Sequence, residues 1–181
     1  QPNNAFALEV LEPGQVAATA GTSGVVYGVS ARATYDPEQR VNTFAHVTHE
    51  PGTERYGTLL CVNGTGALNA WLRREVAGTD VHYEVMNTAA AEVSVGSDGL
   101  TVLPFGNGAE RMLGNRDIGA HFVGLELQRH GRAHLWRAAQ EGIACALAHG
   151  MAILSDLGLD LTRIRAGNSN MFLSPVFREA L

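Results

Sequence analysis

Two apolar runs, Gln15–Ala20 and Val25–Val29, are separated only by Gly21-Thr22-Ser23-Gly24. So short a connection between β-prone runs leaves the chain little choice but to double back as a hairpin. The tip then gathers backbone N–H groups and two hydroxyls, a combination suited to a phosphate group. The same turn serves equally well as a plain hairpin connection, and spacing alone does not choose between the two.

After this hairpin region (Gln15–Ala31) the pattern alternates between strand and helix, the mark of an α/β fold. Asp36-Pro37-Glu38-Gln39-Arg40 reads as a turn and Thr43–Thr48 as a strand. Tyr56–Val62 is a strand that ends in Asn63-Gly64-Thr65-Gly66. There the period changes: Leu68, Trp71, Leu72 and Val76 recur at helical spacing, which places a helix over Ala67–Val76. Thr79–Ala91 is left open, with an amphipathic helix as its best reading. Asp98-Gly99 is a turn before the short strand Leu100–Phe105, and Pro104–Asn115 is a surface loop by composition. Val123–Leu127 fits a short strand or helix.

The clearest helix is Ala133–Leu157, stopped by Gly158. Its apolar stripe runs from Leu135 through Ala138, Ala139, Gly142, Ile143 and Ala146 to Leu147, Met151 and Leu154. Arg137, Glu141 and His149 fall off that stripe. Leu161–Arg165 reads as a short buried strand, followed by the turn Ala166-Gly167-Asn168-Ser169-Asn170 and a last helix from Met171.

At 181 residues the chain is about one domain in length. All 13 basic residues are arginines, which excludes a phosphate-binding loop of the lysine-dependent type. A net charge of −5 argues against a nucleic-acid surface. No apolar run approaches the roughly 18 residues of a membrane span and no leader pattern is visible, so the expected location is cytoplasmic. The ends are expected to be cuts: the chain opens on Gln1-Pro2-Asn3-Asn4 and closes within a helical pattern ending at Leu181.

Three polar, small-residue turns thus stand beside apolar strands: Gly21–Gly24, Asn63–Gly66 and Ala166–Asn170. The last two open helices, where unpaired N–H groups and the helix dipole favour an anion. The competing reading makes Asn63, Thr65, Ser169 and Asn170 plain helix caps. His46 with His49, and His130 with His134, have no third ligand nearby and read as structural rather than metal-binding. Cys61 and Cys145 read as buried core thiols, and Trp71 and Trp136 as packing residues. Asp117, Glu126 and Asp160 carry no local motif.

Taken in order, these motifs resemble the FGGY carbohydrate kinases. The resemblance rests on Gly21-Thr22-Ser23-Gly24, on Gly66-Ala67-Leu68-x-x-Trp71-Leu72 and on Leu103-Pro104-Phe105-x-Asn107-Gly108-x-Glu110-Arg111. Arg137-Ala138-x-x-Glu141-Gly142 and Gly167–Leu173 complete it. Within the family, the Gly-Thr-Ser-Gly-Val opening, the Asp36-Pro37 turn and the Asn-Gly-x-Glu-Arg loop are most similar to xylulokinases.

The resemblance implies an RNase H-like domain of the actin-like ATPase superfamily, with a mixed sheet flanked by helices. Residues 1–181 would be most of the C-terminal domain, and an N-terminal sugar-binding domain would be its partner across a cleft. The implied substrates are ATP, with Mg2+, and a sugar such as D-xylulose; glycerol, gluconate or ribulose are the alternatives. The implied ATP-binding residues are Gly21, Thr22 and Ser23 at the phosphates, Gly66 near ribose and phosphates, and Gly167 and Asn170 near the adenine. The catalytic aspartate is expected just before Gln1. An aspartate there would separate a kinase from a non-catalytic ATP-binding module, and the isolated fragment is expected to be inactive. Dimerisation is common among similar kinases. Two positions depart from the family pattern. Ala166 adds a methyl where the backbone should approach the base, and Ala109 separates Gly108 from Glu110. For Glu110 and Arg111 the favoured reading is an ion pair that holds their loop.

Overall fold

A computed structural model describes residues 2–181. The hairpin forms as its sequence demands: β1 (Gln15–Ala20) and β2 (Gly24–Ser30) pair antiparallel, with Ala18 opposite Val26 and Ala20 opposite Gly24. After β3 (Asn42–Ala45), β4 (Tyr56–Val62) runs antiparallel to β2. With β7 (Arg163–Ala166) they complete a five-stranded mixed sheet in the order β3-β4-β2-β1-β7, in which β7 is parallel to β1.

The central strands are apolar on both faces because both faces are covered. Val16, Ala18, Ala20, Val26, Leu60 and Val62 enter the larger core. Their alternating neighbours Ala17, Val25, Tyr27 and Val29 pack with Ala5 of the short helix α1 (Pro2–Ala7) and with Val10. The larger core is built around α4 (Arg132–Asp156), whose Ile143, Leu147 and Leu154 are fully buried. Close approach is enforced by glycine. A Cβ at Gly142 would lie 2.1 Å from the Val102 carbonyl oxygen, and one at Gly150 would lie 2.6 Å from a Leu60 methyl.

Around this centre sit α2 (Thr65–Trp71), continued by a π-helical turn at Leu72–Ala77, then α3 (Tyr83–Ala91) and α5 (Pro175–Ala180). A two-stranded ribbon, β5 (Thr101–Leu103) with β6 (His121–Val123), lies against α4. Among the described residues, no helix is long and apolar enough to cross a membrane.

Several expectations are corrected. The third strand stops at Ala45, because His46 turns inward, is buried, and places its Nδ1 2.9 Å from the Thr48 hydroxyl. The Val123–Leu127 element is instead a strand over His121–Val123. β7 is not buried: it is an edge strand with a single neighbour, and Ile164 is 45% exposed. The last helix is interrupted, since a 3-10 turn at Asn170–Leu173 ends before α5, where the Ser174 hydroxyl accepts from the Phe177 N–H as N-cap. Cys145 is exposed and Cys61 half-buried, so neither is a deep core thiol. Trp71, at the end of α2, is exposed, whereas Trp136 is buried.

Arg137 is not off the buried face. It is 3% exposed, its Nε donates to Glu141 at 2.7 Å, and its guanidinium also reaches Glu179 and the Ala90 carbonyl. A helical-period argument counts every charge as outward. This one lies inward because carboxylates and a carbonyl receive its protons. The Asp36 turn is a similar case. Asp36 is buried, accepts from the Arg40 backbone and guanidinium, and Arg40 holds its carboxyl below the usual carboxylate range.

Candidate functional site

The hairpin tip does not stand free. The first N–H groups of α2 donate to it, Gly66 to the Gly21 carbonyl and Ala67 to the Thr22 carbonyl, both at 2.9 Å. This close approach needs glycine, because a Cβ at Gly66 would lie 2.2 Å from the Gly21 oxygen. The expectation that α2 offers unpaired N–H groups to an anion is therefore corrected for Gly66 and Ala67, whose N–H groups the turn itself consumes.

The residues just before the helix are spoken for as well. Glu110, fully buried, accepts from the Asn63 N–H at 2.8 Å and the Gly64 N–H at 3.2 Å through Oε1. Asn63 is no cap. Its side chain donates to the Ala109 carbonyl, and its own carbonyl accepts from Asn107. Neither Thr65 nor Ser169 caps a helix through its side chain. Thr65 donates to the Val62 carbonyl, and Gly64 occupies the N-cap of α2.

The Glu110–Arg111 ion pair is also corrected. Arg111 reaches away to Asn42 at 2.7 Å, while the buried Glu110 serves backbone amides. Burial pushes the Glu110 carboxyl above the usual range, with the two N–H groups opposing that shift, and its Oε2 has no hydrogen-bond partner. The Asn-Gly-x-Glu loop thus clamps the base of α2, which in turn fixes the hairpin tip.

The clamp leaves a cleft of about 680 Å³, within the usual size of a small-molecule site. Gly21, Thr22, Gly66 and Asn170 line it, so four of the six residues singled out from sequence are brought to one place. Asn170 stands close to the tip: a Cβ at Gly21 would lie 3.8 Å from its Nδ2. Its φ of 53° is the left-handed conformation that asparagine tolerates better than most residues. Ser23 and Gly167 do not line the cleft. Ser23 lies beside the Cys61 thiol, and Gly167 faces the Leu8 and Ser169 side chains. Ala166, which ends β7, is also outside the cleft.

The opposite wall comes from α3, which the sequence reading left open. His82, Tyr83 and Asn87 stand there, with Asn69 and Ala70 of α2 beside them. The Arg73 guanidinium sits 5.1 Å over the Tyr83 ring and is itself held by the Val81 and Thr79 carbonyls. An aromatic ring lining one cleft with glycine backbone and amide side chains suits a planar heterocycle with a polar tail. The π-helical turn after α2 is a feature often found next to such sites.

Among the described residues no group of three or more His, Cys, Asp or Glu stands together as a metal site. His130 and His134 illustrate why. Their Nδ1 atoms accept from the Glu126 and Gly131 N–H groups, which leaves both Nε2–H groups directed at Asp98 rather than free to ligate. The position expected for the catalytic aspartate, ahead of Gln1, lies outside the described residues. Glu84 is the carboxylate among the residues lining the cleft.

Comparison with known proteins gives the site its context. The family model for the C-terminal domain of the FGGY carbohydrate kinases matches residues 16–171. A gluconokinase of Bacillus subtilis is 28% identical over 88% of this chain and 32% of its own length. A xylulose kinase of Haemophilus influenzae is 26% identical over 80% of this chain and 28% of its own. The crystal structure of a xylulose kinase from Rhodospirillum rubrum superposes with a TM-score of 0.81 at 31% identity, covering 98% of this chain and 34% of that one. The chain spans about a third of the length of these relatives.

Proposed function

Because the chain belongs to the FGGY family of carbohydrate kinases, we propose that its cleft holds ATP for phosphoryl transfer to a sugar hydroxyl. The observation that carries this reading is the convergence of Gly21, Thr22, Gly66 and Asn170 on one cleft, with Tyr83 and Asn87 across it. In this reading the purine lies between Tyr83 and the Asn170 turn, and the phosphates run toward the hairpin tip. Phosphoryl transfer asks little covalent work of the protein, so positioning and charge stabilisation do most of it. A site of hydroxyls, amides and glycine backbone fits that demand. Magnesium, when bound, would neutralise phosphate charge.

The chain's own part is to hold the nucleotide and exclude water beside it. The proton acceptor for the sugar hydroxyl is the aspartate that the family resemblance places ahead of Gln1, and the sugar-binding side belongs to the N-terminal domain that the resemblance implies. For the sugar we favour a pentulose, D-xylulose. That reading is supported by the likeness to the Rhodospirillum rubrum xylulose kinase over nearly the whole chain. An aldonate is the second reading, supported by the likeness to the Bacillus subtilis gluconokinase. ADP release by the full-length protein across pentuloses, polyols and aldonates separates the two.

Thr22 tests the phosphate end. It is exposed at the tip and anchored to α2 only through its carbonyl. Thr22→Val keeps shape and removes the hydroxyl. In the full-length enzyme it should raise KM for ATP about tenfold, the worth of one hydrogen bond to a charged group, with KM for sugar little changed. Unaltered ATP kinetics would sink the assignment.

A further inference from the structure

Gln140 lies in the first half of α4, fully buried, and does not itself line the cleft. A buried primary amide is costly unless both its ends are satisfied, and here both are. Its Oε1 accepts from the Ser174 hydroxyl, and its Nε2 donates to Asn87 Oδ1 at 3.1 Å. Ser174 and Asn87 both line the cleft, from the start of α5 and from α3. Gln140 therefore ties together two walls of the cleft from behind.

The direction of these hydrogen bonds carries a consequence. Ser174 Oγ accepts from the Phe177 N–H to cap α5, so its own proton is the one given to Gln140. That leaves Gln140 Nε2 as the group facing Asn87 and commits Asn87 Oδ1 to it. The Nδ2 amide is then what Asn87 has to offer the cleft, a donor suited to a lone pair on a heterocycle or a ribose oxygen.

We propose that Gln140 is a positioning residue for nucleotide binding, which fixes the Asn87 amide so that its Nδ2 donor faces the ligand; this rests on reading the cleft as the nucleotide site. The competing role, structural glue between α3, α4 and α5, would act on stability and leave ADP affinity unchanged.

A double-mutant cycle on the full-length protein separates them. Gln140→Met, similar in length and without hydrogen-bonding groups, should weaken ADP binding about fivefold by calorimetric titration, the worth of one net hydrogen bond. KM for ATP should rise with it, while kcat and KM for sugar stay put. In the Asn87→Ala background the same substitution should weaken ADP binding no further. A carboxylate at this position accepts from both neighbours, so Gln140→Glu should turn the Asn87 amide around and weaken ADP binding too. This second variant keeps the test open if the methionine variant folds poorly. Equal weakening by Gln140→Met in both backgrounds, or unchanged ADP affinity in the otherwise native protein, would overturn the proposal while leaving the cleft assignment standing. A native full-length protein that binds no ADP would remove the cleft reading itself, and this inference with it.

Discussion

Replacing Glu110 with alanine is expected to destabilise the fold by about 4 kcal/mol, the sum of two buried donors left unpaired and a side-chain cavity. The carboxylate is fully buried and serves the Asn63 and Gly64 N–H groups at the entry to α2. Gly64 packs tightly on this loop: a Cβ there would lie 1.5 Å from the Pro104 oxygen. For a domain of this size the loss should lower the melting temperature by about 10 °C. A shift below about 2 °C would show that the clamp is dispensable.

The same residue carries a pH signature. Burial raises the Glu110 pKa in the folded state above its unfolded value. The folded protein therefore holds this proton more tightly, so the group's contribution to stability is present below the ordinary glutamate range and lost as pH rises through the folded value. Glu110→Gln keeps an acceptor for both amides and has no charge to bury. Its melting temperature should fall less than the native one as pH rises from about 4 to 8. A parallel fall in both proteins would place the titrating group elsewhere.

Gly66→Ala is expected to cost about 2 kcal/mol net. Alanine gains about 1 kcal/mol over glycine in a helix. Against that, its methyl would meet the Gly21 carbonyl at 2.2 Å, and backbone is not a neighbour that yields cheaply. Relief requires α2 to move off the hairpin tip, which breaks the Gly66–Gly21 and Ala67–Thr22 hydrogen bonds. The tip would then lose its registration against Asn170, so KM for ATP in the full-length enzyme should rise together with the loss of stability. Chemical denaturation and ATP kinetics on one preparation check both. A variant as stable as the native protein with normal ATP kinetics would mean that α2 does not set the tip.

The sheet and the long helix were legible in the sequence because each bears a strong period. The apolar runs flanking Gly21–Gly24 could only be a hairpin, and the stripe from Leu135 to Leu154 could only be a long buried helix. What stayed hidden was polar and long-range. Glu110 looked like half of a surface ion pair because local sequence cannot show that the partner is a pair of amides 46 and 47 residues away. Arg137 was assigned outward for the same reason.

The α3 helix falls within the amphipathic reading of Thr79–Ala91; what was missed is that it walls the site, because no glycine-rich turn marks it. The one available signal was His82-Tyr83 opening a possible helix, with Asn87 one turn on. Trp71 was placed inside on its helical spacing and Cys145 on its apolar neighbours in sequence, and both are exposed. Of the site, the tip and Asn170 were visible as glycine- and asparagine-rich turns. That they meet across the end of α2 is a property of the fold.

Amide chemical shifts of this domain, followed as ADP is added, report directly on whether this cleft holds the nucleotide. Saturable changes are expected at Thr22, Gly66, Tyr83, Asn87 and Asn170, with Gly142 and Cys145 across α4 unmoved. Changes centred on α4 and β5, or none at ADP concentrations that saturate the full-length enzyme, would contradict the assignment of this cleft to the nucleotide.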